Sequence, residues 1–237
     1  MGIKIEFNGN PISNLSEWQN LVYTGIKKKE WKKGSSAYSL ADYIINQNGV
    51  EEIRTQIARI VNEDVTFEKG CPDYEAHFDD YGRGRAHDLA IWGTTQSGKK
   101  LFLGIEAKVN ESFGDTIETA YLNAKINSEI FDKSNGKKRI EGLLAFNFGE
   151  DNKDDYQLRY QLLFSTAGTL CVEADIHIML ILVFKTHSFN KNKVKSNYNE
   201  LQKFLKRTDA KESEKDIFQL TLDNKELILI YKKIALQ

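Results

Sequence analysis

Asp88, Glu106 and Lys108 are the residues of this chain whose types and spacing suit phosphoryl chemistry. Glu106 and Lys108 lie in the run Gly104-Ile105-Glu106-Ala107-Lys108-Val109. In a strand, side chains alternate with period two, so Glu106 and Lys108 face one way while Ile105, Ala107 and Val109 face the other. A charged pair inside a hydrophobic strand is costly to bury unless its members pair or bind something. Asp88 opens an earlier apolar run, Leu89-Ala90-Ile91, and a neighbouring strand there would bring its carboxylate to Glu106. Two carboxylates held close repel, and a hard divalent cation such as Mg²⁺, or Mn²⁺ in its place, relieves that repulsion through oxygen coordination. Such an ion lowers the pKa of a bound water and stabilises charge on a phosphoryl oxygen. Lys108 would then position or help deprotonate that water, or stabilise the transition state.

The elements that must position these groups are legible around them. His87–Thr94 and Leu101–Val109 read as two strands, and the six polar residues 95–100 between them suit a hairpin loop. Upstream, Ser35 or Ser36 caps a helix running through Ile45 to Asn48-Gly49, and a second helix is expected over Val50–Asn62. Val65–Phe67 reads as a strand, and Gly82-Arg83-Gly84 as a turn. Downstream, a helix is expected after Gly114 through Ile126, a strand over Gly142–Phe148, and a helix over Tyr156–Ala167. Ile176–Phe184 is nearly continuous apolar sequence, as expected for a strand covered on both faces. A helix at Tyr198–Leu205 and a last strand at Leu227–Ile234 complete the reading. Residues 1–34 are polar and form an N-terminal extension; residues 35–237 form a single α/β domain with a central mixed sheet flanked by helices.

Asp88, followed by Glu106-Ala107-Lys108 on the second strand of a hairpin, resembles the signature of the PD-(D/E)XK nuclease superfamily. That superfamily includes restriction endonucleases, Holliday-junction resolvases and many phage-defence nucleases. The resemblance implies a restriction-endonuclease-like fold, with Asp88 and Glu106 as metal ligands, the Ala107 carbonyl completing the site and Lys108 as catalytic lysine. His87 stands where the namesake proline would be. A further acid is expected from a preceding segment, and Glu52 and Glu75 are the two candidates. Gln161 is a candidate polar contact from a later helix. The implied activity is Mg²⁺-dependent endonucleolytic hydrolysis of nucleic acid, with DNA expected, in the cytoplasm, by a chain that forms a homodimer to cut both strands. An acid–x–lysine by itself more often marks a solvated strand face. The alternatives are therefore a catalytically inactive nucleic-acid-binding or interaction module on the same fold, and a plain surface ion-pair network.

Composition neither advertises nor excludes this chemistry. The 237 residues carry 33 basic and 34 acidic side chains, a net charge of −1, so any nucleic-acid surface must come from local segregation of charge. Arg83 and Arg85 lie close in sequence to Asp88 and are the expected contacts to a scissile strand. Basic runs also occur at Lys27–Lys29 with Lys32 and Lys33, at Lys137-Lys138-Arg139, and from Lys185 to Lys195. The longest apolar run, Ile178–Phe184, falls far short of the roughly 20 residues that span a bilayer. Met1–Asn10 lacks the basic-then-apolar order of a secretory signal. Cys71 and Cys171 fit no metal spacing and are expected to be reduced thiols. Gly93–Lys99 imitates a phosphate-binding loop, but Lys100 replaces the required Ser or Thr, and a strand follows where the phosphate-cradling helix should start. The spacings of His77, His87, His177 and His187 match no zinc motif.

Overall fold

The computed structural model describes residues 3–131, 134–150 and 152–236, so Met1 and Gly2 of the N-terminal extension lie outside the described residues. Its frame is one nine-stranded mixed sheet with helices on both faces. In chain order the strands are β1 (Lys4–Phe7), β2 (Asn10–Pro11), β3 (Val65–Ala76), β4 (Arg85–Thr95), β5 (Lys100–Lys108), β6 (Ile176–Lys185), β7 (Lys211–Glu214), β8 (Ile217–Leu222) and β9 (Lys225–Ala235). Across the sheet they run β2-β1-β3-β4-β5-β6-β9-β8-β7. The parallel pairs are β1 with β3, β5 with β6, and β6 with β9; the other neighbours are antiparallel.

The helices are α1 (Leu15–Val22), α2 (Ser36–Asn46), α3 (Gly49–Val61), α4 (Ile117–Ile130), α5 (Gly136–Phe148), α6 (Tyr160–Leu170) and α7 (Lys191–Arg207), with short 3-10 turns at Gly25–Glu30 and Lys153–Gln157. On one face, Leu40, Ile44, Ile53 and Ile57 of α2 and α3 pack against Leu103, Ile105 and Ala107 of β5 and Leu180 and Leu182 of β6. On the other, Leu162, Leu163 and Leu170 of α6 and Leu201 and Phe204 of α7 cover Met179, Ile181 and Val183. Strands β5 and β6 therefore sit at the centre of two apolar layers, which is why both read as almost continuous hydrophobic sequence. No helix among the described residues is long and apolar enough to cross a membrane.

The expected helix from Ser35 forms as α2, with the Ser35 hydroxyl accepting from the Tyr38 N–H. The expected hairpin forms as β4 and β5, closed by the Thr95 N–H on the Lys99 carbonyl at 3.0 Å, so Gly93–Thr95 end β4 and residues 96–99 turn back into β5 instead of cradling a phosphate. Gly142–Phe148, expected as a strand, is instead the second half of α5. Ile140, Leu143, Leu144 and Asn147 are its buried side, a helical spacing that outweighs the local apolar run. The expected helix over Tyr156–Ala167 is divided. Asn152 and Asp155 form a capping box around the 3-10 turn, Leu158 is extended, and α6 begins only at Tyr160. Strand β3 runs well past Phe67, through Pro72. Its pairs with β1 stop at Lys69 and Gly70, so the proline lies on a stretch open on that side.

The N-terminal residues join the sheet. Asn8 and Gly9, both at positive φ, make the two-residue turn between β1 and β2, and Ile5, Ile12, Trp18 and Val22 are buried in the same core as α2 and α3. Asp223 and Asn224 make the equivalent turn between β8 and β9.

Candidate active site

Strands β4 and β5 are in register from Thr94 opposite Lys100 to Leu89 opposite Ile105. Beyond that point the Asp88 side chain replaces the ladder: its Oδ2 accepts the backbone N–H of Ala107 at 2.7 Å. The residue between Glu106 and Lys108 is thus bound by the acid of the neighbouring strand, and the three sequence-selected residues meet at one place. Glu106 is fully buried and Lys108 is 8% exposed, so neither lies on a solvated face. Their alternation sends both towards α6, where Gln161 joins them. Its amide nitrogen donates to Glu106 Oε2 at 2.9 Å, and its carbonyl accepts from Lys108 Nζ at 3.1 Å. Lys108 Nζ also stands 3.7 Å from Glu106 Oε2 and lies over the Phe113 ring.

Arg85, expected from sequence as a contact to nucleic acid, points inward. Its guanidinium is bonded to Glu106 Oε1, its Nε donates to Ser165 Oγ at 3.1 Å, and its plane lies over the Phe164 ring. Gly168 makes room for this arrangement, because a Cβ there would meet the Arg85 side chain at 2.8 Å. Arg83 is exposed on the loop before β4. That loop is pinned by Arg139, whose guanidinium takes both Asp79 oxygens at 2.7 and 2.8 Å. Among the sequence-selected positions the structure brings together Asp88, Glu106, Ala107, Lys108, Gln161 and Arg85.

It does not bring Glu52 or Glu75 to them. Glu52 lies on α3, in the helix layer on the other face of the sheet, where it accepts from the Tyr43 hydroxyl at 2.8 Å and approaches Lys232 at 4.0 Å. Glu75, on β3, accepts from the Gly84 N–H at 2.7 Å and faces His77 at 3.6 Å, so it holds the loop and not the site. Among the described residues no three His, Cys, Asp or Glu side chains gather as a metal cluster. Cys71 and Cys171 form no disulfide, and His177 is tied to the Val172 carbonyl. A surface concavity between Phe148, Asp155, Lys203 and Arg207 is separate from these residues.

The electrostatics are those of two unequal acids. Burial, and then the Glu106 charge, push the Asp88 carboxyl up to about 6. Burial pushes Glu106 up as well, but Arg85 and Lys108 outweigh it and hold Glu106 below the ordinary carboxylate range. His87 is fully buried against Phe102, Gly104 and Gly168, and neither ring nitrogen completes a hydrogen bond; burial and Arg85 push it down to about 4. It is therefore a neutral packing residue behind the site.

The groups that could hold a hard divalent cation are oxygens only, from Asp88, Glu106 and the Ala107 carbonyl, and a cation there would offset the Glu106 repulsion that, after burial, raises Asp88. Arg85 supplies a countercharge to Glu106. Sequence reasoning did not single out Ser165 and Glu111. Glu111 caps the Val109 N–H at 2.6 Å and the Asn110 N–H at 3.0 Å, fixing the chain as it leaves Lys108. Its only sequence signal is its closeness to Lys108.

A family model described as a domain of unknown function, DUF6946, matches residues 11–235. No curated protein and no solved structure matches the chain. With nearly its whole length covered by that model, the chain belongs to the DUF6946 family.

Proposed function

We propose that this chain is a metal-dependent nuclease on a restriction-endonuclease-like, PD-(D/E)XK-type core, hydrolysing phosphodiester bonds in DNA. One observation carries the reading: Gln161 bridges Glu106 and Lys108 beside Asp88. A buried acid and lysine fixed by one amide form a prepared site, whereas a solvated strand face would leave both side chains mobile in water.

Asp88 and Glu106, with the Ala107 carbonyl, would hold Mg²⁺ or Mn²⁺. When bound, the ion lowers the pKa of a coordinated water and offsets charge on a phosphoryl oxygen. Lys108, oriented by Gln161 and backed by Phe113, places a positive charge where negative charge grows during displacement. With an ion held by Glu106, the Arg85 guanidinium would be free to grip a phosphate through its bidentate fork. A cytoplasmic setting, a role in phage defence and a second copy for the second strand of a duplex belong to the same proposal.

A second reading, a nucleic-acid-binding module without turnover, is favoured by one feature: Arg85 already neutralises Glu106, and among the described residues no third acid joins Asp88 and Glu106. Calorimetry with Mg²⁺ and Mn²⁺ separates the two. The nuclease reading expects saturable binding that Glu106→Ala abolishes; no binding, or binding unchanged in that variant, would exclude it.

A further inference from the structure

Two basic segments far apart in sequence are tied together at the end of the sheet that carries Asp88 and Lys108. The first runs from Tyr23 to Ser36. Lys27 is ion-paired with Asp73, which lies across from Asp88 between the registered pairs Pro72–Leu89 and Tyr74–His87. Ser36 Oγ donates to Glu111 at 2.9 Å, the same carboxylate that caps the chain just after Lys108. Trp31 packs between Tyr23 and Tyr38 with ring centroids 5.0 and 5.4 Å away, giving the segment a rigid aromatic base. From that base Lys28, Lys29, Lys32 and Lys33 are exposed.

The second segment is the exit from β6 and the start of α7. Strand β6 is parallel to β5, with Val183 opposite Lys108, so residues after Phe184 emerge beside the end of β5. Asn110 fastens them, donating to the Ser188 carbonyl at 2.5 Å and accepting from the Asn190 N–H at 2.7 Å. Lys185, Lys191, Lys193 and Lys195 are exposed here. The two segments touch. Thr186 Oγ1 donates to the Gly34 carbonyl at 3.2 Å, and the His187 ring stands against Gly34, where a Cβ would have to displace it. Gly34 also sits at φ +88°, a conformation that favours glycine. Within residues 23–36 and 185–199 Glu30 is the one carboxylate. A chain of net charge −1 thus concentrates eight exposed lysines on one rim.

We infer that Lys28, Lys29, Lys32, Lys33, Lys185, Lys191, Lys193 and Lys195 form one continuous surface that binds the phosphate backbone of duplex DNA and lays it across the Asp88–Lys108 end of the sheet. This rests on the nuclease reading for its choice of DNA, but the surface itself follows from the contacts between the two segments. Phosphate contacts of this kind set position and not sequence preference, and each one lost reduces the salt dependence of binding.

The test uses a fluorescent DNA duplex with no divalent ion, titrated at several salt concentrations against the full chain carrying Glu106→Ala, so that binding is read without cleavage. Lys29→Glu with Lys32→Glu, and separately Lys191→Glu with Lys193→Glu, should each weaken binding by at least about tenfold and flatten the plot of log affinity against log salt by about 2. Lys211→Glu with Lys215→Glu, on the opposite edge of the sheet, makes the same change in net charge and should leave affinity within about twofold, since only long-range, salt-screened charge is altered there. Circular dichroism of each variant confirms that it is folded. Equal losses from all three pairs, or none from the first two, would overturn the assignment while leaving the metal site intact. Preference for RNA, or for anionic lipid vesicles over duplex DNA, would likewise overturn it. Failure of the nuclease reading would show separately, as absence of metal binding in calorimetry.

Discussion

The Asp88 carboxylate accepts the backbone N–H of Ala107 at 2.7 Å, at the point where the registered pairing of β4 and β5 ends. This one bond joins the acid of the first strand to the acid–alanine–lysine of the second. The proposed ion would take its oxygens from these two carboxylates and the Ala107 carbonyl.

Arg85 should act as a competitor for that ion. Its guanidinium is bonded to Glu106 and is 13% exposed, against 1% for the Glu106 side chain. Removing one partner of a buried pair leaves an uncompensated charge, and Arg85→Met should lower the stability of the metal-free protein by about 3 kcal/mol. The same variant should bind Mn²⁺ about tenfold more tightly, equivalent to about 1.4 kcal/mol. Denaturant unfolding and calorimetry check the two halves. Weaker Mn²⁺ binding in a folded variant would mean that Arg85 supports the ion and does not compete with it.

The Asp88 carboxyl, pushed up to about 6 by burial and the Glu106 charge, makes a prediction about pH. An unfolded aspartate titrates near 3.9, so between about pH 4 and pH 6 the metal-free folded protein keeps a proton that the unfolded chain has lost. The stabilising contribution is therefore complete below about pH 4 and declines as pH rises through about 6. Carboxyl-carbon NMR should show a step near pH 6 that Asp88→Asn removes. A step at the ordinary aspartate position would mean that water reaches the Asp88 carboxylate and that it is not desolvated.

Gln161 tests whether the bridge positions Lys108. Gln161→Ala removes both hydrogen bonds while leaving Asp88 and Glu106 in place. Partners that orient a metal site typically matter by about 10- to 100-fold in affinity or activity. Here the loss should fall mainly on turnover, with Mn²⁺ affinity changed less, because Lys108 is not a ligand. A loss confined to metal affinity would reassign Gln161 to holding Glu106.

What could be read in advance, and what could not, divides along physical lines. The hairpin, α2, α3 and β6 are coded by short-range pattern: a serine cap, helical spacing of apolar residues, an apolar run covered on both faces. Asp88, Glu106 and Lys108 stood out because charge in such a strand demands a reason. Nearness to Asp88 in sequence singles out Arg85, but its inward direction depends on Ser165 and Gly168 of α6, which are distant in sequence. Glu52 and Glu75 were candidates by position along the chain, and only the sheet topology shows that α3 lies on the other face and that Glu75 is occupied by Gly84. The polar N-terminal segment hid its few core residues, Ile5, Ile12, Trp18 and Val22, among charged ones. Its placement near Asp88 is a tertiary fact, fixed by Asp73 and Glu111.

The central claim is that these residues cut nucleic acid, and its most direct measurement is the cleavage of duplex DNA, with single-stranded DNA and RNA in parallel, by purified protein with and without Mg²⁺. The account predicts Mg²⁺-dependent breakage of DNA that EDTA stops. Lys108→Ala should lose at least about 100-fold in rate, in keeping with removal of a charge that stabilises the transition state, while still binding Mn²⁺. Cleavage unaffected by Lys108→Ala, or none by a wild-type protein that binds both Mn²⁺ and DNA, would contradict it.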